Sequence, residues 1–153
     1  VIAPTRQTLP RIERFVREYD IEVAIHNHGP TDEHFPGPQD VLPVIRDMDP
    51  RVGICLDVGH TARTGIDVPE VAEMCGDRLL DLHMKDLADV TDVASQCVVG
   101  EGAIPIGRLL ATLDRMGYDR FINLEYEIDA SNPLPGMHRS FAYMRGVLEG
   151  LDR

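Results

Sequence analysis

Chemistry-bearing side chains in this sequence collect in four short runs. They are Val23-Ala24-Ile25-His26-Asn27-His28, Ile54-Cys55-Leu56-Asp57-Val58-Gly59-His60, Leu80-Asp81-Leu82-His83-Met84-Lys85-Asp86 and Ile122-Asn123-Leu124-Glu125-Tyr126-Glu127. Each run starts apolar and ends in imidazole, carboxylate or ammonium groups. Imidazole nitrogens and carboxylate oxygens from separate segments make a mixed donor set. Such a set suits one divalent ion, Mn²⁺, Mg²⁺, Co²⁺ or Zn²⁺, and leans away from Ca²⁺. Each residue alone has an ordinary explanation. A lone strand-end histidine such as His28 is commonly a hydrogen-bonded structural group. Asp57, close before a glycine, reads as a turn residue bonded to its own backbone. Glu127 and Asp86 could be solvated or cap a following helix. Together they resist that explanation, because burying four ionisable groups at one place without a counter-ion is costly.

The elements that must position these groups follow from periodicity. The runs alternate with stretches of helical spacing. The expected order is a first helix with the apolar stripe Leu9, Ile12, Phe15 and Val16 behind Thr8 as N-cap. Strands follow at about 21–27, 52–58, 79–85 and 120–127, and helices at about 39–48, 68–75, 105–116 and 137–149. That makes five helices and four strands. Strand–helix alternation argues for parallel strands joined by crossover helices, with ligands at the carboxyl ends of the strands. Side chains two apart on a strand share a face. His26 with His28, His83 with Lys85, and Glu125 with Glu127 therefore point the same way, and Val23, Ile25, Leu82 and Leu124 pack under helices. Pro43 and Pro69 are expected in first helical turns, and Gly117 just past a helix end. The loop from Asp86 to Ala103 is the longest of those after the strands, where substrate contacts are commonly built.

Composition bounds the alternatives. A length of 153 residues fits one domain, and 43% hydrophobic with 27% charged residues is ordinary for a packed core. The net charge of −11, from 26 acidic and 15 basic residues, argues against nucleic acid, whose affinity comes from Lys and Arg on phosphates. No apolar run approaches the roughly 18 residues of a membrane span, and the amino end has no signal-peptide core. Cys55, Cys75 and Cys97 are odd in number and lack metal-type spacing, which suits a reducing, cytoplasmic setting. A complete (β/α)8 barrel needs about 250 residues. A βα chain that opens on a helix and supplies four strands is expected to be half of one.

The run Asp57-Val58-Gly59-His60, then His83-Met84-Lys85-Asp86, then Gly100-Glu101-Gly102 before a helix, then Leu124-Glu125-Tyr126-Glu127 resembles the sugar phosphate isomerase/epimerase family. That family sits in the xylose isomerase-like TIM-barrel superfamily, beside ketose 3-epimerases, inosose dehydratases, hydroxypyruvate isomerases and endonuclease IV. The resemblance runs from about residue 8 to the end. It implies that residues 1–153 are the carboxyl-terminal half of a (β/α)8 barrel, an α/β fold with about strands five to eight and their helices. It also implies a cytoplasmic enzyme of carbohydrate metabolism with one divalent ion held by four strand-end ligands. By position Asp57, His83 and Glu125 match the second, third and fourth of these. The first departs from the family: relatives have Glu-Asn-His where this chain has His26-Asn27-His28.

The resemblance implies a metal-dependent isomerase or epimerase acting on a sugar or sugar phosphate, by proton abstraction beside a carbonyl through a metal-stabilised enediolate. Glu125 is then the base, and His26 stands where relatives keep a second acid/base carboxylate. His28, His60, Lys85, Glu127 and, more weakly, Arg63 are the expected substrate contacts. A leaving group beside the abstracted proton would turn the same site into a lyase or dehydratase. Two readings from other classes stay open: an endonuclease IV-like DNA repair nuclease, disfavoured by charge, and a non-catalytic metal-binding barrel. The expected partner is a small carbohydrate, with neither nucleic acid nor membrane, and a homo-oligomer is left open.

Overall fold

The computed structural model describes residues 7–151. The elements run α1 (Leu9–Tyr19), β1 (Val23–His26), α2 (Pro38–Ile45), β2 (Val52–Asp57), α3 (Val58–Arg63), α4 (Val68–Cys75), β3 (Leu79–Met84), β4 (Asp86–Leu87), β5 (Gln96–Cys97), α5 (Ile106–Met116), β6 (Ile122–Leu124) and α6 (Leu134–Leu151). Strands β1, β2, β3 and β6 form one sheet in that order, every pair parallel. The expected parallel βα architecture is therefore present. No helix among the described residues is long and apolar enough to cross a membrane.

The sheet is buried where its sequence is continuously apolar. All six residues of β2 are buried, as expected for a central parallel strand covered on both faces. Ile25, Ile54, Leu56, Leu82 and Met84 pack from the sheet against Val16, Val41, Ile45, Val71, Leu109, Leu110 and Leu113 of the helices. Each fully buried Leu or Ile contributes about 1.5–3 kcal/mol of transfer free energy before entropy is subtracted.

One irregularity decides which residues face the concave side. Ile54 pairs with Leu79, but the next residue, Cys55, pairs with Asp81. Leu80 is the extra residue of a β-bulge on β3, and it folds over Gly53, where a Cβ would overlap its side chain. The bulge shifts the alternation by one. Asp81 and His83 consequently share the face of Cys55 and Asp57, with Asp57 directly opposite His83.

Several expectations need correction. Helix α3 was not anticipated, and neither was the antiparallel ribbon of β4 and β5 inside the long loop, so the described elements are six helices and six short strands. Thr8 precedes α1, where its carbonyl accepts from the Arg11 and Ile12 N–H groups, but its side chain makes no cap hydrogen bond. Pro43 lies inside α2 and not in its first turn, because the helix starts at Pro38. Gly37 N–H donates to Asp40 Oδ2 at 3.2 Å and fixes that start. Strand β6 is shorter than expected, and α6 begins earlier, at Leu134. Pro69 does occupy a first turn, behind Asp67 as N-cap. Gly117 closes α5 at φ 68°, a left-handed conformation that glycine adopts without strain.

The sheet curls. Glu22, just before β1, and Arg120, just before β6, lead into the two outermost strands, yet their side chains meet in a bidentate pair at 2.6 and 2.9 Å. That contact crosses the end opposite the functional cluster.

Candidate functional site

The carboxyl ends of β1, β2, β3 and β6 bring the expected residues together. Asp57 ends β2 and also caps α3, its Oδ1 accepting from the His60 N–H at 2.6 Å. The Asp57 N–H donates to Asn27 Oδ1 at 3.0 Å, and Asn27 Nδ2 donates to Thr61 Oγ1 at 3.2 Å. Asn27, fully buried, thereby ties the end of β1 to β2 and α3. The second Asp57 oxygen, Oδ2, is buried without a hydrogen-bond partner, and so is His26 Nε2. These two atoms stand 3.4 Å apart without hydrogen-bond geometry. His26 Nε2 is 3.9 Å from Glu125 Oε2, which lies 3.0 Å from His83 Nδ1. One donor atom each from His26, Asp57, His83 and Glu125 lies within 4.8 Å of all the others.

Two atoms bound to a tetrahedral ion at about 2.0–2.1 Å stand about 3.3 Å apart. The separation of the two orphaned atoms fits that geometry. Two nitrogens and two carboxylate oxygens are also a chemically sound set for a divalent first-row ion. The residues present could hold such an ion, and a cation there would satisfy both buried atoms.

The remaining candidates ring this point. Lys85 Nζ, nearly buried, donates to Glu127 Oε2 at 2.7 Å and Glu125 Oε1 at 3.1 Å, and sits 3.9 Å from Asp57 Oδ2. It does not pair with Asp86. His28 Nε2 is 3.2 Å from His26 Nδ1. Arg63 Nη1 is 3.3 Å from His60 Nδ1. His28, His60, Arg63, Lys85, Gln96 and Glu127 line a cavity of about 310 Å³ over the cluster.

Electrostatics follow from this crowding. Burial alone would raise the Asp57 carboxyl; the His26 imidazole, Glu125 and the His60 N–H outweigh it and hold the group well below the usual carboxylate range. Burial would lower Lys85, but Glu127, Asp57 and Glu125 overcome that and raise it, so the ammonium form is favoured. Burial pushes the His60 imidazole down, with Asp57 opposing in part.

Asp86 is neither solvated nor a helix cap. It is fully buried, and its carboxylate accepts from the N–H groups of Leu87, Gly100, Gly102 and Ile104. It gathers the long loop under the strand ends. That loop delivers Gln96, whose Nε2 donates to the Glu125 carbonyl at 2.7 Å and whose Oε1 accepts from the Glu127 N–H at 3.0 Å. Gln96 and Asn27 were missed. Asn27 lies between two singled-out histidines, which was a usable signal, whereas nothing local to Gln96 points to strand β6.

Comparison with known proteins bears on the fold. A 3-oxo-isoapionate decarboxylase of Pectobacterium atrosepticum is 29% identical over 120 residues, covering 73% of this chain and 40% of the relative. The structure of an L-ribulose 3-epimerase superposes with a TM-score of 0.82 at 14% identity, over 100% of this chain and 58% of that one. The IolI protein solved with a zinc atom gives 0.79 at 15% identity, over 95% and 55%. The chain thus spans about half the length of these proteins or less, and the two structures establish likeness of fold. The profile of one family, described as xylose isomerase-like TIM barrel, matches residues 5–147, nearly the whole sequence. The chain belongs to the xylose isomerase-like TIM barrel family.

Proposed function

We propose that this chain carries the metal-binding part of an active site for isomerising or epimerising a sugar by proton transfer beside its carbonyl. One observation carries the reading. Two buried, unpartnered atoms, His26 Nε2 and Asp57 Oδ2, face each other inside a four-donor cluster at the carboxyl ends of parallel strands. On this reading β1, β2, β3 and β6 correspond to strands five to eight of the barrel, and residues 1–153 to its carboxyl-terminal half. His26, Asp57, His83 and Glu125 would hold one divalent ion. When bound, that ion supplies positive charge that polarises a carbonyl and its neighbouring hydroxyl and acidifies the adjoining C–H.

The chain's own groups do the rest. Glu125 is the base that takes the carbon-bound proton. Lys85 Nζ donates to Glu125 Oε1 at 3.1 Å, which orients the carboxylate. As an ammonium, Lys85 also donates to a substrate oxygen. His60 and Arg63, 3.3 Å apart in the cavity lining, orient the remaining hydroxyls. His26 stands where relatives keep a carboxylate; with its Nε2 turned to the ion, the proton it returns is held on Nδ1, 3.2 Å from His28 Nε2.

A second reading has its own support. The curated relative is a decarboxylase, and loss of CO₂ from a 3-oxo acid leaves the same kind of carbanion beside a carbonyl. The test is deuterium wash-in from D₂O into a panel of ketoses with Mn²⁺ present, run beside CO₂ release from 3-oxo sugar acids. Metal-dependent exchange that falls by about 10²–10⁴-fold in Glu125→Gln supports the first reading. CO₂ release without exchange transfers the site to the second. Neither reaction, with no metal bound, overturns both.

A further inference from the structure

Beneath the four-donor cluster lies a layer that the proton-transfer chemistry leaves unused. Cys55 is two residues before Asp57 on β2 and so faces the same concave side. It is buried, at 4% exposure, yet it is not among the side chains that pack the core between sheet and helices. Its register partner on β1 is His26, and on β3 it is Asp81. Donor atoms of His26, Cys55 and His83 all lie within 4.8 Å of one another. The two imidazoles therefore stand between two alternative sets of partners: carboxylate oxygens above and a sulfur below. Asp81 closes the floor, accepting from Asn123 Nδ2 at 2.8 Å and approaching His83 Nε2 to 3.8 Å.

We propose that Cys55 gives the centre a second, lower seat for a soft ion, in which His26 and His83 bind together with the Cys55 sulfur. The physical reason is ligand softness. Carboxylate oxygen suits Mn²⁺ and Mg²⁺, whereas thiolate sulfur selects Zn²⁺, Cd²⁺ and Cu⁺. A hard ion stays with Asp57 and Glu125. A soft ion moves down to the sulfur, whose proton passes to solvent on binding. The seats share both imidazoles, so one ion excludes the other, and soft metals act as competitive inhibitors of loading by hard ones. The inference rests on the proposed centre only through these shared histidines.

The test titrates the metal-free full chain with Mn²⁺ and Cd²⁺ in turn, following absorbance and affinity. The expected result is a sulfur-to-metal charge-transfer band with Cd²⁺ and none with Mn²⁺. It is retained in Cys97→Ser and lost in Cys55→Ser and His83→Ala. Cys55→Ser should lower Cd²⁺ affinity by at least about tenfold, the loss seen even when groups outside the ligand set are removed, and leave Mn²⁺ affinity unchanged. Cd²⁺ should displace Mn²⁺ one for one. Cd²⁺ binding without a charge-transfer band in the unsubstituted chain overturns the lower seat and leaves the proposed centre standing. A band that survives Cys55→Ser overturns it as well. Failure of every ion to bind overturns both. The unsubstituted spectrum decides the matter even if a variant does not fold.

Discussion

At the scale of single residues, the Asp57 carboxylate is divided between two duties. Oδ1 closes the first turn of α3 through the His60 N–H, and Oδ2 is left bare against His26 Nε2. Asp57→Ala should therefore show two separable losses. Removing the cap costs about 0.5–2 kcal/mol, read as a lower unfolding midpoint in metal-free buffer. Removing an anionic donor abolishes metal binding, read as metal-to-protein ratio after gel filtration. Unchanged stoichiometry would refute the assignment of Asp57 as a ligand. The inward residues His26, His83, Lys85, Glu125 and Glu127 were legible because strand alternation forces i and i+2 onto one face. Applied one step further back, the same alternation leads to Cys55. It leads equally to Asp81, two residues before His83; what stays hidden is the bulge at Leu80, since no residue type announces a bulge.

Elements show a sharper boundary between legible and hidden. The strands of the main sheet announce themselves by their apolar runs, and the amphipathic helices by their period. Helix α3 has six residues, too few for a period, and exists because Asp57 caps it. The loop between β3 and α5 is equally silent, being organised around one buried carboxylate, Asp86, that accepts backbone N–H groups up to 18 residues away. Gly102 packs so closely on it that a Cβ there would overlap Asp86 Oδ1. Gly102→Ala should cost about 1–3 kcal/mol, as overpacking commonly does. It should also free the loop, seen as faster amide exchange at Gly100 and Ile104 and new proteolytic cleavage between residues 88 and 103. A loop that stays protected would show that Asp86 is not its anchor. Because Gln96 rides on this loop, the backbone of Glu125 should loosen with it.

Across the whole molecule, what is unfinished is the surface at the ends of the sheet. Among the described residues, β1 and β6 each have a strand neighbour on one side only. Nearby helices expose Phe15 and Tyr19 on α1, and Phe141, Leu148 and Leu151 on α6. Unpaired edges beside apolar helix faces are a template for association. Expressed as these 153 residues, the chain should self-associate reversibly, with a sedimentation coefficient that rises with concentration. A monomer at every concentration would contradict this. The architecture itself was legible, since alternation of βα units leaves few topologies.

The Glu22–Arg120 pair gives the bend of the sheet a mechanical meaning. It strings the first strand to the last at one end, as a bowstring sets the arc of a bow. The metal donors sit at the other tip of the same arc, where His26 Nε2 from the first strand and Glu125 Oε2 beyond the last are 3.9 Å apart. Arg120→Ala should therefore spread those tips and weaken Mn²⁺ binding by no more than the roughly 0.2–1 kcal/mol that an exposed ion pair supplies. An unchanged affinity would show that the sheet keeps its bend without the string.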